Sequence, residues 1–251
     1  MAHAEFQIPP ATGLRVEVYP DYQALSAGAA DIIVDELRAR PNLLLCTATG
    51  SSPVGTYACL AERQRTDPGL FKALRIVKLD EWCGLAADDP GTCEVYLRQH
   101  VLDPLCISRD RYLAFWSNPE DPAVECQRVA RLLEQEGPID VCVLGIGLNG
   151  HIALNEPGLT LSPHAHIAEL TDQSREHVML KQTNGVVRYG LTLGVADILR
   201  SRKILLLVSG ASKKEVLARL LTSPIATDFP ASLLWLHRDV TVLCDREAAG
   251  E

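Results

Sequence analysis

The run Val141-Cys-Val-Leu-Gly-Ile-Gly-Leu-Asn-Gly-His-Ile-Ala-Leu-Asn-Glu-Pro157 constrains the fold of this chain more than any other stretch. An apolar segment stops at a glycine-rich turn, and the turn presents His151 and Glu156 within a few residues. Apolar runs of this length suit strands buried on both faces. The crevice beyond the carboxyl ends of such strands is where α/β sheets bind ligands. A histidine and a carboxylate held there by tight backbone suit acid–base work on a small molecule.

The same pattern recurs along the chain. Strands are predicted at 15–19, 43–46, 74–79, 111–115, 139–144, 189–193, 203–208, 232–236 and 240–243. Helices are predicted over 21–40 with Asp21 as N-cap and Pro41 as stop, and over 54–65, 93–101, 122–136, 171–181, 195–200 and 213–221. Strands alternating with helices at this spacing predict an α/β fold: a doubly wound, mostly parallel sheet with helices on both faces. Residues 1–13 read as a loose arm. With 251 residues, no repeat and no composition break, the remainder reads as one domain.

A net charge of −8 without a long basic cluster argues against nucleic acid or an anionic membrane as main partner. No signal pattern opens the chain and no stretch approaches 18 apolar residues, so a cytoplasmic protein is expected. Cysteines 46, 59, 83, 93, 106, 126, 142 and 244 form no CxxC pair, and several lie inside apolar runs. They read as reduced core thiols, with no metal site legible.

Four polar loops follow strands, which would put them on one rim of the sheet. Thr49-Gly-Ser-Ser-Pro53 combines close backbone approach, hydroxyl donors and a proline suited to a first helical turn. It can cradle a phosphate or be an ordinary capped turn. Asp80-Glu81 can place one carboxylate in a pocket and the other on the opposite side, or be a solvated acidic turn. His151 with Glu156 reads as an acid–base pair or as a satisfied structural histidine. Lys213 follows Ser209-Gly-Ala-Ser212 at a helix start, where a cation is unfavourable unless an anion joins it. Arg188 is a further cation that could reach a phosphate or lie in solvent.

Gly145-x-Gly147-x-x-Gly150 matches the dinucleotide fingerprint literally, with Glu169 about 20 residues on. Pro157, Gly158 and Pro163 interrupt the helix that the fingerprint requires, so a nicotinamide cofactor is not expected.

Ala48-Thr-Gly-Ser-Ser-Pro53, Lys78-Leu-Asp-Glu-Trp-Cys-Gly-Leu85 and the 144–157 loop together resemble the sugar-phosphate isomerase/deaminase family. That family contains glucosamine-6-phosphate deaminase and, more distantly, 6-phosphogluconolactonase. Weaker matches lie at 188–194, 209–213 and 231–237, so the resemblance covers nearly the whole chain. Asn155-Glu-Pro157 after Gly-His is its most specific piece and looks like the deaminases.

The resemblance implies a Rossmann-like fold and a set of roles. Thr49, Gly50, Ser51, Ser52, Arg188 and Lys213 would hold the 6-phosphate. Asp80 would move a proton from C2 to C1 of the open-chain amino sugar, and His151, oriented by Glu156, would open the ring. No metal or organic cofactor is implied; the partner is a small sugar phosphate, and the chain could form a homo-oligomer. Asn149 stands where the glucosamine-6-phosphate enzymes have an aspartate. Its amide could accept a hydrogen bond from the imidazole but would stabilise imidazolium less. With Pro90-Gly-Thr-Cys-Glu94, it resembles the galactosamine-6-phosphate deaminase/isomerase branch more closely. A lactonase, or a silent sugar-phosphate sensor, would keep the phosphate cradle without needing Asp80. Residues 160–185, polar and weakly patterned, could form a lid over the pocket.

Overall fold

The computed structural model describes residues 13–171, 178–183 and 185–251. The expected N-terminal arm and much of the 171–181 helix lie outside them, as does part of the suggested lid. Within that stretch Val178–Gln182 forms a 3-10 turn.

Seven strands form one wholly parallel sheet: β1 (Leu14–Tyr19), β2 (Leu44–Thr47), β3 (Arg75–Lys78), β5 (Tyr112–Leu113), β6 (Val141–Gly145), β9 (Lys203–Val208) and β10 (Val240–Asp245). Their spatial order is β1-β10-β9-β6-β2-β3-β5. The chain therefore winds outward in one direction through β3 and β5 and in the other through β9 and β10. The direction switches between β2 and β6, and a ligand crevice is expected at that point.

Alternation along the strands builds two cores. Leu43, Leu45, Ile76, Val141, Val143, Leu205, Leu207 and Leu243 pack on α1 (Tyr22–Ala39) and α2 (Ser51–Thr66). Leu44, Cys46, Val77, Cys142, Leu144, Ile204, Leu206 and Val242 face the other way. There they meet α4 (Pro122–Glu136), α5 (Val195–Leu199) and α6 (Lys214–Thr222). The cysteines at 46 and 142 are thus core residues, and all eight thiols are free. Two further short helices are α3 (Cys93–Leu97) and α7 (Arg246–Ala249). No helix among the described residues is long and apolar enough to cross a membrane.

Local chemistry sets the helix ends. Asp21 accepts from Ala24 N–H to start α1, and Asp121 accepts from Ala123 and Val124 with Pro122 in the first turn of α4.

The structure corrects the sequence reading at three places. Residues 232–236 are not a strand but part of the 3-10 turn Pro230–Leu236, held where Ser232 Oγ donates to Phe229 O at 2.7 Å. Asp80–Cys83, which the sequence left open between a pocket-facing pair and a solvated turn, is an unforeseen strand β4, buried throughout. It opens a second, antiparallel sheet, order β4-β8-β7, with β8 (Tyr189–Thr192) and the unforeseen β7 (His166–Ala168). Finally, α2 begins at Ser51, earlier than expected, so Ser51, Ser52 and Pro53 form its first turn.

Candidate active site

Sheet order explains why four distant loops meet. β9, β6, β2 and β3 are consecutive neighbours, and the segments after them are 209–213, 146–151, 48–52 and 79–80. These line one cavity of about 380 Å³, whose wall includes Thr49, Gly50, Ser51, Ser52, Asp80, Trp82, His151 and Lys213. Glu156 stands behind His151. Arg188 does not reach the wall: it is exposed just before β8, where its N–H pairs with Cys83 O at 2.9 Å.

At the start of α2 the cap residue is Gly50, at φ 104°, with no side chain to satisfy the first N–H groups of the helix. The loop carbonyls are braced from outside: Tyr57 OH donates to Ala48 O, Tyr96 OH to Gly50 O and Tyr22 OH to Ser51 O, at 2.7–2.8 Å. Fixed carbonyls and an uncapped helix start leave donors facing the cavity, the chemistry of an anion cradle. Lys213 closes the far side. The loop ahead of it is held by Asp245, which accepts from Gly210 N–H and from the Ser209 hydroxyl. Lys213 Nζ donates to Ile146 O at 2.6 Å, and burial lowers its pKa. An anion beside it would offset that desolvation.

Asp80 and Glu81 point to opposite sides of β4 with different fates. Glu81 is fully buried and accepts from Lys78 Nζ (2.7 Å), Ser117 Oγ (2.8 Å) and the backbone N–H groups of Trp82, Cys93 and Glu94. A buried charge needs this degree of pairing. Lys78 also donates to Glu94 at 2.9 Å. Asp80 lacks such a set. Burial, reinforced by the neighbouring Glu81 charge, raises its pKa to about 7, against smaller lowering effects from Cys93, His151 and Lys78. A carboxyl poised near neutrality is suited to accept a proton from carbon and return it.

The glycine turn aims His151. Gly147 N–H donates to His151 O at 3.0 Å and Gly150 N–H to Gly147 O at 2.9 Å, closing the loop on itself. A Cβ on Gly147 would lie 2.3 Å from the His151 ring, so only glycine lets the imidazole rest there. No helix starts in this turn, so Gly150 does not open the helix that a dinucleotide fingerprint requires. His151 Nδ1 lies 3.4 Å from Glu156 Oε2, an ion-pair distance without hydrogen-bond alignment. Asn149 plays a different part from the one expected. Its Oδ1 accepts from the backbone N–H of His151 (3.1 Å), not from the ring, while its amide donates to Glu156 Oε2 at 2.8 Å.

Two contributions were not foreseen. Trp82 lines the cavity, and Cys93 lies against Asp80, its Sγ 3.8 Å from Oδ1. The only sequence hint of the latter was its place in Pro90–Glu94.

The switch-point crevice of this α/β fold gathers a buried carboxyl, a histidine and an uncapped helix start, groups suited to acid–base chemistry on an anionic ligand. Residues 21–243 match the family described as glucosamine-6-phosphate isomerases/6-phosphogluconolactonase, and the chain belongs to it. It is 43% identical to the protein named "Putative deaminase AgaI" of Escherichia coli (strain K12), over 89% of this chain and 88% of that one. It is 40% identical to glucosamine-6-phosphate deaminase 1 of Bacillus subtilis (strain 168), over 91% and 96%. Among solved structures, a monomeric glucosamine-6-phosphate deaminase superposes with TM-score 0.89 at 38% identity, covering 94% of this chain and 99% of that one. The 6-phosphogluconolactonase of Trypanosoma brucei shares the fold, with TM-score 0.72 at 22% identity over 96% and 99%.

Proposed function

We propose that this chain deaminates and isomerises an amino sugar 6-phosphate, converting galactosamine 6-phosphate and water to tagatose 6-phosphate and ammonia. The observation that carries the proposal is the single cavity that brings a near-neutral carboxyl, Asp80, together with His151 and the Thr49–Ser52/Lys213 cradle. The strands that feed the cavity are neighbours in one sheet, which supports a single catalytic domain.

The 6-phosphate sits on the N–H groups and hydroxyls of 49–52 and against Lys213, which fixes the sugar's far end. His151 moves a proton between the C1 hydroxyl and the ring oxygen, opening the pyranose to the aldehyde. Asp80 then takes the C2 proton as the C–H electron pair moves into the C1–C2 bond and the C1 oxygen gains a proton given up by the C2 ammonium group. Returning the proton at C1 leaves a 2-imine, water adds at C2 and ammonia departs. No electron is gained or lost overall, so these residues suffice without a redox partner. Arg188, exposed and off the cavity wall, has no part in this scheme.

The galacto branch is favoured by Asn149 and the Pro90–Glu94 stretch; glucosamine 6-phosphate, giving fructose 6-phosphate, is the alternative, and the two sugars differ only at C4. Ammonia release from both, assayed side by side, tests the assignment. A higher kcat/KM for galactosamine 6-phosphate is expected, and a clear preference for the gluco sugar reverses the branch.

A further inference from the structure

We propose that Cys93 is a positioning residue for the Asp80 base, its thiol hydrogen fixing one carboxylate oxygen so that the other is left to exchange the proton. The proposal deepens the deaminase reading and takes from it the role of Asp80.

Cys93 is the first residue of α3, where Thr92 caps the helix by accepting from Val95 N–H. From that position it holds both acids of β4. Its backbone N–H donates to Glu81 Oε1 at 2.7 Å, and its Sγ lies 3.8 Å from Asp80 Oδ1. The longer reach of sulfur makes the second a weak thiol hydrogen bond. On its other side, Sγ stands 3.4 Å from Thr49 Oγ1. A thiol has one hydrogen. With Asp80 ionised, the arrangement that satisfies all three groups runs Thr49 O–H to Sγ, then S–H to Asp80 Oδ1. The thiol thereby links the phosphate cradle after β2 to the base on β4.

The thiol keeps its hydrogen at working pH. Cys93 is buried, and burial with the Glu81 and Asp80 charges beside it pushes the thiol well up from its ordinary range. It is therefore a donor and not a nucleophile. Such a bond favours the charged form of Asp80 and opposes the desolvation that raises it. The charged or titratable groups around Asp80 are Lys78 and Glu81 along its own chain, Cys93 on α3, His151 on the glycine turn, and the buried Cys46 and Tyr57. Of these, Cys93 alone is hydrogen-bonded to the carboxyl through its side chain. An alternative is that Cys93 only fills space, as the other buried thiols do.

The test reads Asp80 directly. Carbon-13 carboxyl titration of the whole chain, with the Asp80 signal assigned by Asp80→Asn, is compared between wild type and Cys93→Ala. Loss of the donor is expected to raise the Asp80 midpoint by about half a pH unit or more, with the acid limb of kcat/KM rising alongside and KM little changed. An unmoved midpoint overturns the proposal. Should Cys93→Ala fold poorly, the wild-type S–H stretching band, assigned by its loss in Cys93→Ser, serves instead. It should shift across the pH interval in which Asp80 titrates, and a band that stays fixed overturns the proposal. Neither spectroscopic result depends on turnover, so a chain that released no ammonia would sink the deaminase reading while the role of the thiol was still decided.

Discussion

The side-chain amide of Asn149 donates to Glu156 at 2.8 Å, and the same carboxylate oxygen faces His151 Nδ1 at 3.4 Å. Asn149 thus shares Glu156 with the imidazole and, through its Oδ1, holds the His151 backbone. An aspartate there would set two carboxylates against each other, a pair that cannot both ionise at low cost.

Asn149→Asp is accordingly expected to lower stability by about 1 kcal/mol, read by chemical denaturation. A variant as stable as wild type would show that the Asn149 amide is not what holds Glu156.

Gly147→Ala places a methyl 2.3 Å from the His151 ring. The ring can swing toward the open cavity, so stability should change little while kcat drops at least roughly tenfold, the cost of a misplaced acid–base group. Steady-state kinetics beside a thermal melt separates the two effects.

For Asp80 the pH dependence has a definite sign. A base must be ionised to act, so kcat/KM should fall as pH drops through about 7. The folded-state pKa lies above the unfolded one, hence this group adds stability at low pH that is lost as pH rises toward 7. Asp80→Asn should therefore abolish turnover, retain binding of inorganic phosphate, and raise the melting temperature at pH 8 but not at pH 4. A variant less stable than wild type at pH 8 would contradict the buried-charge explanation.

Lys213 and Arg188 make a contrasting pair. Lys213→Met removes the cation that faces the cradle and should raise KM for the sugar phosphate about tenfold or more. Arg188→Ala, at an exposed side chain off the cavity wall, should change KM by less than about threefold. Equal effects would place Arg188 at the phosphate.

Much of the fold was legible because its signals are local. Asp121 and Pro122 mark the start of α4, and Lys203–Val208 is apolar enough to be read as a buried strand without context. Asp80–Cys83 was harder. Two acids after a strand look like a solvated turn, and only Lys78, Ser117 and the start of α3 make Glu81 a buried anchor. The 232–236 segment misled because its apolar run imitates a buried strand, whereas Pro230 and the Ser232 hydroxyl bend it into a 3-10 turn.

The site was legible as residue types and not as geometry. Asp80, His151, Lys213 and the 49–52 loop could be named in sequence, but their meeting depends on β9, β6, β2 and β3 being neighbours. The partner of the Asn149 amide, and the thiol against Asp80, are set by side-chain directions that no spacing rule gives.

The most direct test is to incubate the chain with galactosamine 6-phosphate in heavy water and follow ammonia and the ketose product by NMR. One ammonia per sugar, with deuterium at C1 of tagatose 6-phosphate and both signals lost in Asp80→Asn, is the expected result. Failure to release ammonia from either amino sugar phosphate, or full turnover by Asp80→Asn, would contradict it.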